Sequence, residues 1–431
     1  MQFYDRRDEI KALETIYHQA YNSSKMTVIS GRRRIGKTML ALQFVKNKQY
    51  LYFFIAKKAE NLLCSDFIKL IRDRFDVPII GEINRFIQVF ELILQLAQKE
   101  RLVLIIDEFQ EFYTINPSVY SEIQNLWDQY KSRSKIQLIL IGSVYSLMVK
   151  IFEKSSEPLF GRADSMIFVK PFTVTTIKEI LQDHNGFTIE NLGIPKYLEI
   201  FIDNRIFETD QLIDLMIQKD SYHLNEGKNL LIEEFGNKYG TYFSILELIS
   251  SGKTDRSAIE SILQKNIGGY LDRLESVYEV IQKIKPFNAK PMGRIVKYKI
   301  KDNFLNFWFR FIHKNRSAIE TGNFHYIRQI LKRDFKTYSG LFLEKLFHEL
   351  IAGTSEYNRI GNYWEKGNLN EIDLIAANDM QKTMLVADIK INPDKLDIGN
   401  LKTKSKAIVS KFNDYTIDYK GLSIENINDY L

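Results

Sequence analysis

The chain runs to 431 residues, a length that suggests roughly two to four domains. Its 45% hydrophobic and 13% aromatic residues are enough to pack them and exclude global disorder. The single cysteine, Cys64, excludes a disulfide framework or a cysteine-rich zinc site, and a net charge of +6 permits an acidic partner such as nucleic acid without requiring one. No apolar run approaches the ~20 residues of a membrane span, and the amino terminus, Met1-Gln-Phe-Tyr-Asp-Arg-Arg-Asp-Glu9, is charged at once and lacks the apolar stretch of a signal peptide. The expectation is a cytoplasmic protein with no membrane partner.

Between Asp8 and Tyr21, Ile10, Leu13, Ile16, Tyr17 and Ala20 recur at helical spacing, so an amphipathic helix leads the chain. Met26-Thr-Val-Ile-Ser30 reads as a short buried strand. Gly31-Arg-Arg-Arg-Ile-Gly-Lys-Thr38 follows it and fits the pattern G-x-x-x-x-G-K-[ST]; Met39 to Val45 then reads as a helix. The order strand, glycine loop, helix is what a phosphate cradle needs, because the first amides of a helix have no partner within it. The cradle takes in Gly31, Arg32, Arg33, Arg34, Ile35, Gly36, Lys37, Thr38 and Met39, with Lys37 placed to reach the β- and γ-phosphates and the Thr38 hydroxyl to ligate Mg²⁺. The two glycines allow close backbone approach, whereas the three arginines occupy the pattern's variable positions and carry no assignment.

Tyr50 to Ile55 is a second strand-like run, and Phe67 to Phe75 and Phe86 to Ala97 show helical periodicity. Arg101-Leu-Val-Leu-Ile-Ile-Asp-Glu108 is an apolar strand ending in two carboxylates, the position at which a parallel sheet binds ligands. There Asp107 would hold Mg²⁺ through water and Glu108 would polarise the water that attacks a γ-phosphate. A helix over Val119 to Tyr130 precedes the strand Gln137 to Ser143, and Ser165 to Pro171 is a fifth strand candidate. Strands that are apolar along their length and alternate with helices predict an α/β fold with a parallel sheet covered on both faces. Ser143 either meets the γ-phosphate or attacking water, or caps the next helix. Arg162, in Leu159-Phe-Gly-Arg-Ala163, is either a finger that neutralises charge in transfer, in cis or on a neighbouring subunit, or an ion-paired arginine.

Residues 173 to 237 read as helical, with a turn at Gly193-Ile-Pro-Lys-Tyr197, and suit a lid. Tyr242 to Ile249, Arg256 to Leu263 and Ile267 to Val277 form three short helices. Val280 to Lys285 can pair with Arg294 to Ile300, which makes a winged helix-turn-helix pattern. Its third helix exposes Asp272 and Glu275, unsuited to reading bases, while Lys283, Lys285, Lys290, Arg294, Lys297 and Lys299 on the wing suit phosphate contact. Asp302 to Ile312, dense in aromatics, reads as a buried helix. Past Tyr338, a helix with Glu344 and Phe347 leads to Asn370 to Ala376 and Thr383 to Lys390, which pair if Asn378 to Thr383 closes a hairpin. That register sets Asp373 opposite Asp388, with Lys390 on the face of Asp388. Such a cluster is either a metal site for phosphodiester chemistry, with Glu344 joining, or a cross-strand charge cluster. Lys402, Lys404, Lys406 and Lys411 on the following helix either track a nucleic-acid backbone or form a solvated face.

Together Gly31 to Thr38, Ile105-Ile-Asp-Glu-Phe109, Ile141-Gly-Ser143, Leu159-Phe-Gly-Arg162, Gly193 to Tyr197, Lys301-Asp-Asn-Phe304 with Phe307-Trp-Phe309, and Glu371-Ile-Asp373 resemble the archaeal-type ATPase family, relatives of AAA and STAND P-loop ATPases. The resemblance implies a RecA-like P-loop NTPase core, a helical lid, a winged helix and a carboxy-terminal α/β domain resembling PD-(D/E)xK nucleases, here over residues 1–172, 173–237, 238–312 and 313–431. It carries Asp373 and Asp388-Ile-Lys390 onto the nuclease pattern, with Glu344 joining and Asp388 standing where glutamate is more frequent. The implied function is Mg²⁺-dependent ATP hydrolysis driving a switch in the later domains. The alternatives are an ATP-gated metal-dependent nuclease and a non-enzymatic nucleic-acid-binding regulator, and a homo-oligomer or a protein partner stays open.

Overall fold

The computed structural model describes residues 3–430 apart from 76, 78, 80, 184–202, 204–208, 237–238, 291–292 and 294. The expected turn at Gly193 to Tyr197 and wing residue Arg294 lie outside the described residues. The chain divides into two compact units, the first ending at Phe172 and the second holding the described residues from Thr173 onward.

In the first unit β1 (Lys25–Ser30), β2 (Tyr50–Phe54), β3 (Leu102–Asp107), β4 (Ile136–Gly142) and β5 (Ser165–Phe168) form one sheet in the order β2-β3-β4-β1-β5, with every pair parallel. The central strands β3 and β4 are buried at every position, which is why their sequences are apolar throughout rather than alternating. One set of alternate side chains, among them Val28, Phe53, Leu104 and Leu138, shares a core with Phe67, Phe86, Phe90 and Trp127 of the Glu60–Phe75, Phe86–Lys99 and Val119–Tyr130 helices. The opposite set, including Ile29, Ile105 and Ile139, faces the Arg7–Gln19 and Lys37–Val45 helices. The helix expected from Phe67 begins at Glu60, because Leu63 and Cys64 extend its buried stripe while Asn61, Leu62, Ser65 and Asp66 stay outside. A helix over Tyr145–Glu153 went unread in the sequence. β5 stops at Phe168, short of Pro171, which has no amide to continue a ladder.

The second unit opens with helices Val174–Asp183, Thr209–Ile217 and His223–Phe235, then Tyr239–Ser250, Arg256–Leu263 and Gly268–Asp272, the last continuing into a wider turn over Arg273–Val277. β6 (Ile281–Ile284) and β7 (Lys297–Ile300) pair antiparallel, with Ile281 opposite Ile300. Asn303–Phe307 and Trp308–His313 bury their aromatic rings, and the Trp308 indole N–H donates to the Leu224 carbonyl at 3.0 Å. The 30-residue Phe324–Gly353 helix then packs on one face of a second sheet, β8 (Arg359–Tyr363), β9 (Ile372–Asn378), β10 (Thr383–Ile389) and β11 (Thr416–Leu422), while the Ile398–Val409 helix packs on the other. The order is β11-β10-β9-β8, with β11 parallel to β10 and the other pairs antiparallel. β8 and β11 lay beyond the sequence reading. Beyond β6, Phe287 enters the core beneath the second helix, and its N–H donates to the Asn362 carbonyl on β8 at 2.6 Å.

Gly227 shows how tightly this unit is closed. A Cβ there would stand 2.2 Å from the Trp308 ring, which is 1% exposed and cannot move aside. Gly227→Ala is therefore expected to lower stability by about 1–3 kcal/mol in chemical denaturation; an unchanged midpoint would contradict this packing.

Candidate functional site

The first candidate site lies at the carboxyl ends of β1, β3 and β4. The loop leaving β1 passes so near the end of the sheet that a Cβ at Gly31 would meet the Val169 carbonyl oxygen at 2.7 Å. Gly36 precedes the Lys37–Val45 helix with φ 92°, a region that favours glycine, and no side chain caps the helix amides. The Lys37 ammonium, 7% exposed, donates to the carbonyls of Gly31 and Arg32, both at 2.8 Å. Arg32, Arg33 and Arg34 are half-buried on the same loop, Ile35 is buried beneath it, and Met39 is largely exposed on the first helical turn. Buried Arg6, unnoticed in the sequence, ties the loop to the end of the sheet by donating to the carbonyls of Ile35 at 3.4 Å and Lys170 at 2.7 Å.

Asp107 takes three hydrogen bonds at the end of β3. The Thr38 hydroxyl donates to Oδ2 at 2.6 Å, the Tyr52 hydroxyl to the same oxygen at 2.9 Å, and the Glu108 amide to Oδ1 at 2.9 Å. Burial, and after it the charge of Asp107, pushes the Tyr52 phenol well above its usual range, so Tyr52 stays a donor. Thr38 and Asp107 make an all-oxygen set, which suits Mg²⁺. Glu108 turns out of the strand with φ 55°, and its Oε2 accepts from the Ser143 hydroxyl at 2.7 Å and from the Gln110 side-chain amide. Ser143 thus holds Glu108 and does not cap the next helix, whose cap is Val144. Tyr52 and Gln110 carried no motif; the only signal was, for Tyr52, a hydroxyl inside an otherwise apolar strand and, for Gln110, its place two residues after Glu108.

Arg162 does not join this group. It precedes β5, and because β5 runs parallel to β1, with the Asp164 amide bonded to the Met26 carbonyl, Arg162 lies at the end of the sheet where β1 begins. The phosphate loop is at the other end, roughly 20 Å away along a six-residue strand. Its guanidinium instead engages Asp128 at 2.7 and 3.2 Å. Of the alternatives open for Arg162, a finger acting in cis does not fit this parallel topology, and the side chain is ion-paired with Asp128.

A second cluster lies in the second unit. Leu374 pairs with Ala387, so the next positions outward are Asp373 and Asp388. The Lys390 ammonium bridges them, at 2.8 Å from Asp373 Oδ2 and 2.7 Å from Asp388 Oδ1, and the Ile389 amide donates to Asp373 at 2.8 Å. Glu344 reaches in from its helix but meets Lys299 of β7 at 3.9 Å, while Lys297 pairs with Glu371 at 2.8 Å. His348, which no motif marks, bonds the Asp373 carbonyl at 2.8 Å. Among the described residues no three His, Cys, Asp or Glu side chains are grouped to hold a metal ion. The expected site of Glu344, Asp373 and Asp388 is therefore not assembled as a three-acid cage: Lys390 stands between the two aspartates, and Glu344 meets Lys299.

Burial foremost, then the charge of Asp373, pushes the Glu344 carboxyl up to about 7, and burial also raises Asp373 against the pull of Lys390. Burial draws Lys390 down, but Asp373 and Asp388 outweigh it and hold it above its usual value. A carboxyl that binds its proton more tightly folded than unfolded stabilises the fold at low pH and loses that contribution as pH rises to about 7. Glu344→Gln, which mimics the protonated form, is expected to leave stability unchanged near pH 4. Above pH 8 in chelator it should raise stability by on the order of 1–3 kcal/mol. Equal shifts at both pH values in thermal melts would contradict the burial of this charge.

The parallel sheet, the glycine loop and the strand-end carboxylates define an α/β fold of the P-loop ATPase kind. Residues 3–196 match the family described as an ATPase domain predominantly from Archaea, and residues 308–417 match one of archaeal and bacterial proteins of unknown function. Along 415 residues the chain is 32% identical to the uncharacterized protein MJECL04 of Methanocaldococcus jannaschii, covering 90% of this chain and 87% of that one. A stretch of 47 residues is 38% identical to the uncharacterized ATP-binding protein MJ0423 of the same archaeon, covering 11% of this chain and 76% of that one. The structure of the Walker-type ATPase PABY2304 of Pyrococcus abyssi superposes with a TM-score of 0.54 at 19% identity, over 71% of this chain and 96% of that one, a likeness of fold. The chain belongs to the archaeal ATPase family. Among the described residues no helix is long and apolar enough to cross a membrane.

Proposed function

We propose that the chain binds ATP with Mg²⁺ at Gly31 to Met39 and hydrolyses it, and that hydrolysis alters the posture of the domains beyond Phe172. The observation that carries this reading is the 2.6 Å contact between Thr38 and buried Asp107, which brings the loop and the strand-end acid to one point. The loop amides and Lys37 bind the phosphates, Thr38 and Asp107 hold Mg²⁺, and Mg²⁺ supplies neutralisation of the phosphate charge. Glu108 takes a proton from water as the water oxygen bonds the γ-phosphorus and the bond to the β–γ bridging oxygen breaks, leaving ADP and phosphate. Ser143 holds Glu108 before the γ-phosphate arrives. Arg162, remote from its own loop, fits the trans role, acting on the nucleotide of a neighbouring copy in a homo-oligomer. Residues 1–172 are the ATPase core, the described helices within 173–237 belong to a lid, 238–312 are a winged helix and 313–431 a nuclease-like domain.

Lys37→Ala is expected to abolish binding of a fluorescent ATP analogue, while Glu108→Gln keeps binding and loses about 10²-fold or more in turnover. Wild-type affinity in the Lys37 variant would sink the reading.

The Asp373–Lys390–Asp388 bridge favours a second reading, a metal-dependent nuclease gated by ATP. Here the two aspartates hold a divalent cation once Lys390 turns to the scissile phosphate or the attacking water. DNA and RNA incubated with Mg²⁺ or Mn²⁺, with and without ATP, should be cut by the wild type and spared by Asp388→Ala. Cleavage that survives the substitution would count against this cluster.

A further inference from the structure

Glu108 is held by two donors, and they differ in what else they can do. The Ser143 hydroxyl has a single proton and spends it on Glu108 Oε2 at 2.7 Å. A γ-phosphate entering beside the end of β4 competes for that proton. The Gln110 amide donates to the same carboxylate oxygen and lies two residues further along, on a turn over Phe109–Glu111. Its backbone is fixed from both sides. Phe109 and Phe112 are fully buried in the core, and the Tyr120 hydroxyl bonds the carbonyls of Phe109 and Gln110, both at 3.3 Å.

The side chain of Gln110 is 1% exposed, and its orientation follows from its partner, since a carboxylate accepts and cannot donate. With Nε2 turned to Glu108, Oε1 is left buried with no hydrogen-bond partner among the described residues. Buried acceptors are rarely left so, and the arrangement is stable only because the other end of the amide grips a charge. Room for it depends on Gly142, where a Cβ would meet Gln110 Oε1 at 2.7 Å and Met148 Sδ at 2.2 Å.

We infer that Gln110 is a positioning residue for ATP hydrolysis, keeping the Glu108 carboxylate aimed at the attacking water when the γ-phosphate draws the Ser143 hydroxyl away. The inference rests on the ATPase reading. Gln110 acts through Glu108, to which its amide donates. Its removal therefore changes turnover and leaves nucleotide affinity as it was.

The test is Gln110→Met in the full chain, a substitution of similar shape that removes the donor and the unpaired acceptor together. ATP turnover with Mg²⁺, affinity for a fluorescent ATP analogue and the melting temperature are measured beside wild type, Lys37→Ala and Glu108→Gln. The expected result is a kcat lower by on the order of 10-fold, with KM and analogue affinity unchanged and a melting temperature equal to or above wild type. A structural role alone would instead lower the melting temperature. If Glu108→Gln turns over like wild type, or wild type does not hydrolyse ATP, the ATPase reading falls and this inference with it. If Lys37→Ala and Glu108→Gln behave as described while Gln110→Met keeps the wild-type kcat, or loses affinity along with kcat, the ATPase reading stands and the role of Gln110 is overturned. Should Gln110→Met fail to fold, Gln110→Leu is read in the same way.

Discussion

The carboxylate of Asp107 is the point on which the first unit depends. It is charged, 4% exposed, and seated at the end of a strand that is buried at every position. A lone charge there would be costly, and three donors from three segments offset the cost: Thr38 from the loop helix, Tyr52 from the neighbouring strand and the amide of Glu108. Satisfying that one group therefore fixes the loop against the sheet, the register of β2 against β3, and the turn that aims Glu108. The geometry of the candidate site and the burial of charge are settled by the same bonds.

In the second unit, charge is handled differently. Glu344, Glu371, Asp373 and Asp388 are interleaved with Lys297, Lys299 and Lys390. Two of those lysines belong to β7, and Phe287, beyond β6, is seated in the core beside the second sheet. The hairpin and the acidic cluster thus form one electrostatic arrangement. A divalent cation entering it would compete with an ammonium for the carboxylates, so whatever moves the hairpin also changes the charge that the cluster presents.

Arg162 and Ser143 show why a motif and its geometry are separate matters. Both were open between a catalytic and an ordinary role in the sequence. Ser143 follows β4, at the carboxyl end where β3 delivers Glu108, and it bonds that carboxylate. Arg162 precedes β5, at the opposite end of a parallel sheet, and bonds Asp128. Strand direction decides at which end of the sheet each side chain lies, and strand direction belongs to the assembled sheet.

Most of the first unit was legible residue by residue. A strand buried on both faces must be apolar throughout, a phosphate loop must have glycine where the backbone turns or closely approaches its neighbours, and a helix must repeat its buried stripe. Each of these demands writes itself into neighbouring positions, so Lys37, Thr38, Asp107 and Glu108 could be found from local pattern. The hairpin register that sets Asp373 opposite Asp388 was likewise legible, because a turn and a period of two are local. Tyr52, Gln110, Arg6 and His348 were not legible, since a single polar side chain has no period and nothing local says which group it will meet in the fold. The edge strands β8 and β11, the pairing of Glu344 with Lys299 and the remoteness of Arg162 from its loop also waited on the folded chain. Each depends on which segments the sheets bring side by side, and that choice is made by burial summed over the whole unit rather than by any one stretch of it.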